Sequence, residues 1–368
     1  MRQFLHVLLF LIGLLCITPA CFAQAKIVST PSYVRTDAYA STRLIGMGGA
    51  AVAVTDGNDP YFNPAQISYP LNKYRFRINS SPGLIDWYES SDGSITQNQR
   101  NISIIAAILR ANRAEGKTYN LNVGVGYYRD KTVMTSSYLV IHPSGGEELV
   151  TSSSHYTSSL IRASVGIGVE RVVSMSCGAS VNIFEEVESA GYRKDVDVGV
   201  IFGLPEGIKQ RVCYSPEESM FNIYPSLGFT MQQMALKIEE ETITPIKRFG
   251  LAAKFSWDYH DGRSQLSKLY IMPTYETLSQ YDTMHKFGLE VGYHDALQLR
   301  YGRRGTHTYE NRISYGVSLN SRGIARFLNK SERSLLYRAN LSLHYAYIKP
   351  AYVDDTWSYF DITLELGL

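Results

Sequence analysis

The chain has 368 residues, and its 36 Lys and Arg nearly balance 34 Asp and Glu, leaving a formal net charge of +2. That balance gives no basis for nucleic-acid binding. Only 19% of residues are charged, while 27 are Tyr and 29 are Gly, and four scattered Cys make no disulfide framework.

The chain opens Met1-Arg2 and runs mostly apolar from Phe4 to Ile17. It continues Thr18-Pro19-Ala20-Cys21-Phe22-Ala23-Gln24-Ala25. A basic start, a short apolar core and small residues at an A-x-A-like site predict a secretory signal peptide over 1–25, cleaved after Ala23 or after Ala25. The run is too short for a helical anchor, which needs about 20 apolar residues. A lipoprotein site at Cys21 is the weaker reading, because Thr18 and Pro19 are poor neighbours for lipidation. Beyond this point no stretch is apolar enough to span as a helix.

Residues 26–72 predict an N-terminal plug. The string from Arg43 to Ala65 is small, apolar and Gly-rich, with turn signals at Asp56-Gly57 and Asn63-Pro64. Gly48 and Gly49 permit close backbone approach and positive φ. Asn63 is placed to cap a short helix that Pro64 opens. Gly46-x-Gly48-Gly49 lacks the spacing and the Lys-Ser/Thr of a phosphate loop. Gly46, Met47, Gly48, Gly49, Asp56, Asn63 and Pro64 therefore read as structural positions of the plug.

From residue 73 to 368 the chain alternates with period two. Tyr119, Leu121, Val123, Val125 and Tyr127 form one stripe; Ile161, Ala163, Val165, Ile167 and Val169 form another. Further stripes are Met175–Ile183, Val196–Phe202, Phe249–Tyr259, Phe287–Tyr293, Ile313–Leu319, Tyr337–Tyr347 and Phe360–Leu368. Opposite them stand Gly, Ser, Asn and charged residues. Side chains alternate faces along a strand, so each run carries an apolar and a polar face. Runs of about ten residues, many bounded by aromatics, match strands that cross a bilayer. A secreted β-sandwich also alternates, but its strands are shorter, about 5–6 residues.

The predicted fold is all-β: a transmembrane antiparallel β-barrel of about 14 strands with a short N-terminal plug, integral to the cell outer membrane. Candidate strands are 74–80, 101–108, 117–129, 132–141, 157–170, 175–187, 192–203, 222–233, 247–258, 267–276, 285–294, 297–303, 309–320, 335–347 and 358–368. The list is odd in number whereas single-chain bacterial barrels are even, and 101–108 and 132–141 show the most blurred alternation. Segments 81–100, 142–156 and 204–221 read as long outer loops, one of which hides a strand or enters the lumen. The amphipathic last strand predicts closure without an edge.

Arg162, Glu170, Asp195, Asp197, Glu290, Arg300, Arg338 and His344 fall on the polar face, where they predict ion pairs across a polar interior. Lys194 falls on the apolar face near a strand end and can snorkel. Pro225 and Pro273 are candidate kinks, since proline removes a ladder hydrogen bond. The eight His show no i, i+4 pair and no Cys partner, and no Gly-x-Ser-x-Gly elbow occurs. No enzyme, cofactor or metal is predicted, and Glu239-Glu240-Glu241 reads as a solvated loop.

The Arg43-x-x-Gly46-Met47-Gly48-Gly49-Ala50…Asp56…Phe62-Asn63-Pro64-Ala65 string resembles the N-terminal hatch of FadL-type outer-membrane proteins. It is most similar to the branch that includes PorV and PorQ of the type IX secretion system. That resemblance implies secretion or surface attachment of exported proteins, with secretion-machinery subunits or cargo as partners beside outer-membrane lipid. The alternative it implies is a FadL-like channel for a hydrophobic small molecule.

Overall fold

The computed structural model describes residues 41–55, 62–68, 74–80, 85–90, 93–113, 117–141, 147–170, 173–186, 191–204, 208–211, 218–234, 237–238, 241–242, 244–260, 265–280, 283–306, 312–328, 339–349 and 357–367. The signal-peptide region, Asp56, Arg338 and Glu239-Glu240 lie outside these residues, as does the side chain of Glu170.

The strands are β1 (Tyr74–Ser80), β2 (Ile85–Ser90), β3 (Gly93–Arg113), β4 (Lys117–Ile141), β5 (Glu147–Glu170), β6 (Ser174–Glu186), β7 (Gly191–Gly203), β8 (Ile208–Arg211) and β9 (Glu218–Gln232). They continue as β10 (Lys237–Ile238), β11 (Glu241–Thr242), β12 (Ile246–His260), β13 (Gln265–Ser279), β14 (Thr283–Tyr293), β15 (Leu297–Thr306), β16 (Arg312–Asn320), β17 (Ala339–Lys349) and β18 (Trp357–Gly367). Two short helices, α1 (Thr42–Gly46) and α2 (Ser321–Phe327), and a 3-10 turn at Pro64–Ser68 complete the set.

All pairs are antiparallel, mostly between sequence neighbours, in the order β1-β18-β17-β16-β15-β14-β13-β12-β9-β7-β6-β5-β4-β3-β2. β1 pairs with β18 through Ile78↔Leu364 and with β3 through Ile78↔Ile102. β10 and β11 form a separate two-stranded sheet.

This corrects the expected fold class, a plain transmembrane barrel of about 14 strands. The main sheet has 16 strands and is branched. β3 pairs with β1, β2 and β4, while β8 is attached through β9. Among the described pairs, β2 is held only by β3 and β8 only by β9, so edges remain that a plain barrel would lack. The supposed outer loops are also corrected. Segment 81–100 contains β2 and the start of β3, 142–156 contains the start of β5, and 204–221 contains β8. Segments 117–129 and 132–141 are one strand, β4. The reason is physical: backbone ladders need no apolar stripe, so strands that are polar on both sides escape a search for alternation.

Within the described strands the period-two pattern separates two faces. Val125, Ile161, Ile167 and Leu299 are at least half exposed, at 57%, 50%, 58% and 52%, whereas Arg162, Asp195, Glu276 and Glu290 are at most 2% exposed. Directly paired residues share a face, as Val123↔Val165 and Val165↔Ala179 show. This inverts the soluble pattern, in which apolar side chains are buried and charges exposed. The polar face is covered because residues 41–55 and 62–68 lie against it.

Candidate functional site

The covering segment begins with Ser41, whose hydroxyl caps α1 by accepting from the Leu44 amide at 3.3 Å. After Gly46 and Met47, the chain turns through Gly48 and Gly49 at φ 67° and 79°. An L-residue disfavours that region, which is why glycine stands there. Asn63 Oδ1 accepts from Ala65 N at 3.0 Å, and Pro64 opens the 3-10 turn. The Asn63 amide donates to Val52 O at 2.9 Å and reaches Val200 O of the sheet at 3.3 Å, fastening the two halves of the segment together and to β7. The segment buries Leu44, Ala51 and Phe62 in one cluster, with Ile45 packed against it.

Three wall carboxylates hold this hatch. Glu290 accepts from Arg43 Nε at 2.9 Å and Nη2 at 3.0 Å, from Arg300 Nε at 2.6 Å and from the Tyr270 hydroxyl at 2.9 Å. Glu276 Oε2 accepts from Ala51 N and Val52 N at 2.8 and 3.0 Å, and its other oxygen takes Arg248 Nη1 at 2.8 Å, with Lys286 Nζ at 3.8 Å. Asp361 Oδ2 accepts from Thr42 N at 2.9 Å. Buried charges persist when paired and hydrogen-bonded, as Glu290 and Glu276 are. The Arg248 guanidinium also lies 4.8 Å above the Phe62 ring. The Ser318 hydroxyl meets His344 Nδ1 at 2.5 Å, and His344 Nε2 is 3.9 Å from Asp361 Oδ1. Arg300 donates to the same hydroxyl and the hatch backbone donates to Asp361, so this row anchors the hatch.

Glycines of the wall make room for it. A Cβ at Gly178 would strike Pro64, one at Gly199 would strike Asn63, and one at Gly228 would strike Val52. At Gly288 it would come 2.7 Å from Met47 O, at Gly302 it would strike Gly48 N, and at Gly316 it would approach Gly46 Cα at 3.2 Å. Gly178 pairs with Gly199 and Gly288 with Gly302, so adjacent strands present bare backbone together.

Of the residues singled out in the sequence, Gly46, Met47, Gly48, Gly49, Asn63 and Pro64 come together on this wall. Arg162 and Asp197 pair at 3.2 Å, Arg300 with Glu290 at 2.6 Å, and Lys194 is exposed. The reading missed Glu276, Arg248, Lys286 and Asp361 as anchors. Arg248 and Lys286 stand one step before the stripes that begin at Phe249 and Phe287, Asp361 stands on the polar side of the Phe360–Leu368 run, and Glu276 ends a segment with no stripe of its own.

Pro225 lies opposite Ala253, at the point where β9 stops pairing with β7 (Gly203↔Ser226) and takes β8 (Ile208↔Ile223). Pairing of β12 with β13 passes from Ala252↔Thr274 to Phe255↔Ile271 in unchanged register, leaving an interruption opposite Met272 and Pro273. Beside it, Met47 and Val54 of the hatch pack with Tyr270 and Met272 of the wall. Lys254 Nζ sits 4.0 Å from the centre of the Tyr270 ring. Among the described residues, no group of three or more His, Cys, Asp and Glu could hold a metal ion.

The fold and site define a branched antiparallel sheet with an apolar exposed face and the segments 41–55 and 62–68 packed on its polar face. No protein-family model matches the chain, and no curated protein does. Among solved structures, the Pseudomonas putida toluene transporter TodX is similar at 9% identity and a TM-score of 0.43, over 88% of this chain and 96% of that one. The CymD monoaromatic hydrocarbon channel is similar at 10% identity and a TM-score of 0.37, over 88% and 96%. The transport unit of the Escherichia coli autotransporter AIDA-I is similar at 11% identity and a TM-score of 0.35, over 85% and 97%.

Proposed function

We propose that the protein resides in the bacterial outer membrane and passes a hydrophobic small molecule, as a FadL-like channel does. An exposed sheet face carrying Val125, Ile161, Ile167, Leu299 and Tyr315 is costly in water and favourable in lipid. The observation that carries the reading is the apolar cluster of Met47, Val54, Tyr270 and Met272 beside the ladder interruption at Pro273. An apolar ligand passing between segment 41–55 and the sheet would meet this apolar cluster, and a proline that supplies no N–H weakens the sheet there. Pro225 and Pro273 serve as kinks in this reading, and 26–72 serves as the hatch after removal of 1–25. No step breaks a covalent bond, so no catalytic residue is assigned.

The test is accumulation of labelled hexadecanoate or toluene by cells carrying the protein. The wild type should raise uptake several-fold over cells without it. Pro225→Val with Pro273→Val should lower that uptake while heat-dependent gel migration stays normal. Uptake equal to that of cells lacking the protein rejects the reading.

A second reading, secretion or surface attachment of exported proteins in the manner of PorV and PorQ, is favoured by one feature. β3, β4 and β5 are 21, 25 and 24 residues long against 13 in β6 and β7. The β4–β5 ladder runs on to Ile141↔Glu147, past the last β5–β6 pair at Ser158↔Glu186. This projecting ladder offers contact to secretion subunits or cargo. Shortening residues 132–156 should abolish their co-purification and leave ligand uptake intact.

A further inference from the structure

On the same covered face, but held by β5, β6 and β7 and not by the hatch, is a second polar cluster. Asn182 pairs across the ladder with Asp195, and Ser180 with Asp197, so all four side chains fall on one face of two adjacent strands. Asn182 Nδ2 is 2.5 Å from Asp195 Oδ1 and 2.9 Å from Asp197 Oδ2, so a single atom touches both carboxylates. Gln233, at φ 60° just past β9, donates its backbone N–H to Asp197 Oδ1 at 2.9 Å. Arg162 Nη1 meets Asp197 Oδ2 at 3.2 Å. Ser180, Asn182, Asp195 and Asp197 are at most 2% exposed, and Gln233 is 9% exposed.

Asp195 Oδ2, Asn182 Oδ1, Ser180 Oγ and Gln233 Oε1 are all buried and have no hydrogen-bond partner in the protein. Buried polar atoms are nearly always satisfied, and a buried carboxylate oxygen is among the costliest to leave bare. These four atoms are all oxygens. When both are ionised, the two carboxyl groups bring two negative charges against one positive charge on Arg162. Oxygen-only donors with excess negative charge suit a hard cation, which calcium satisfies with six to eight oxygens at about 2.3–2.6 Å. Turning the Asn182 amide over would present its oxygen in place of the nitrogen that now bridges the carboxylates, and such a turn exchanges two nearly isosteric groups.

We propose that Asp195, Asp197, Asn182, Ser180 and Gln233 form a binding site for a hard, oxygen-coordinated cation that ties β6, β7 and the end of β9 together. The site is separate from the hatch and requires no transport activity.

The experiment uses the full protein in detergent, stripped with a chelator and dialysed into a sodium-free buffer. Calcium chloride and sodium chloride are titrated separately, with heat of binding and the unfolding midpoint as readouts. Saturable heat from either ion, with a midpoint rise of about 5 °C when that ion is well above its dissociation constant, supports the proposal, and the active arm identifies the cation. Asp195→Asn keeps the shape and removes the charge, so it should abolish both signals. Ser180→Ala should weaken binding at least threefold without lowering the chelated midpoint by more than a few degrees. Absence of binding heat from both ions in the wild type overturns the proposal, as does an equal response in Asp195→Asn.

Discussion

Glu276→Ala removes the carboxylate that fixes the middle of the hatch to β13. Its two oxygens serve Ala51 N, Val52 N and Arg248 Nη1 within 3.0 Å, with Lys286 Nζ at 3.8 Å. Breaking a buried ion pair by deleting one partner costs about 3–5 kcal/mol. Leaving two backbone donors without their acceptor costs about 1–3 kcal/mol each, and the two effects overlap. A combined loss of roughly 4–6 kcal/mol is expected. An unfolding entropy of about 2.1 cal/mol/K per residue over the unit 36–368 then lowers the midpoint by roughly 6–9 °C. Glu276→Gln keeps an acceptor for one or both amides and should lose about half as much. The assay is circular dichroism with heat-dependent gel migration in detergent, supported by proteolysis of the hatch. An alanine variant that melts within about 1 °C of wild type, with its hatch equally protected, refutes the clamp.

Gly302→Ala places a methyl group against Gly48 N and the Ser314 hydroxyl, so it should destabilise by about 1–3 kcal/mol, read as a lower unfolding midpoint. Asn63→Ala removes the cap and the donors to Val52 and Val200, and should cost about 1–2 kcal/mol and raise cleavage within residues 41–68 under limited proteolysis. Val165→Arg puts a charge on the exposed apolar face between Val123 and Ala179, and should cost about 2–4 kcal/mol of stability in lipid, measured by refolding into bilayers. A neutral outcome there would mean that this face does not meet hydrocarbon.

Several parts of the architecture were written locally. The alternation of Ile161, Ala163, Val165 and Ile167 with Arg162, Ser164, Gly166 and Gly168 states both the strand and its two faces, because side-chain direction follows backbone period. The glycine pair at 48 and 49 and the Asn63-Pro64 cap were legible for the same reason: each satisfies a requirement set within a few residues. β2, β8 and the outer part of β5 were not legible, since their only requirement is a hydrogen-bonding neighbour distant in sequence. The branch of the sheet at β3 and β9 follows from those hidden strands.

The amino-acid order thus determined which residues extend, which turn, and which face of each strand tolerates charge, for these depend on φ, ψ and side-chain polarity alone. Tertiary structure decided the partners. That Glu290 faces Arg43, that Glu276 receives the amides of Ala51 and Val52, and that Gly302 lies under Gly48 depend on strand register and on the path of the hatch. Registers are fixed by the whole ladder acting together, and a chain read two residues at a time does not contain them.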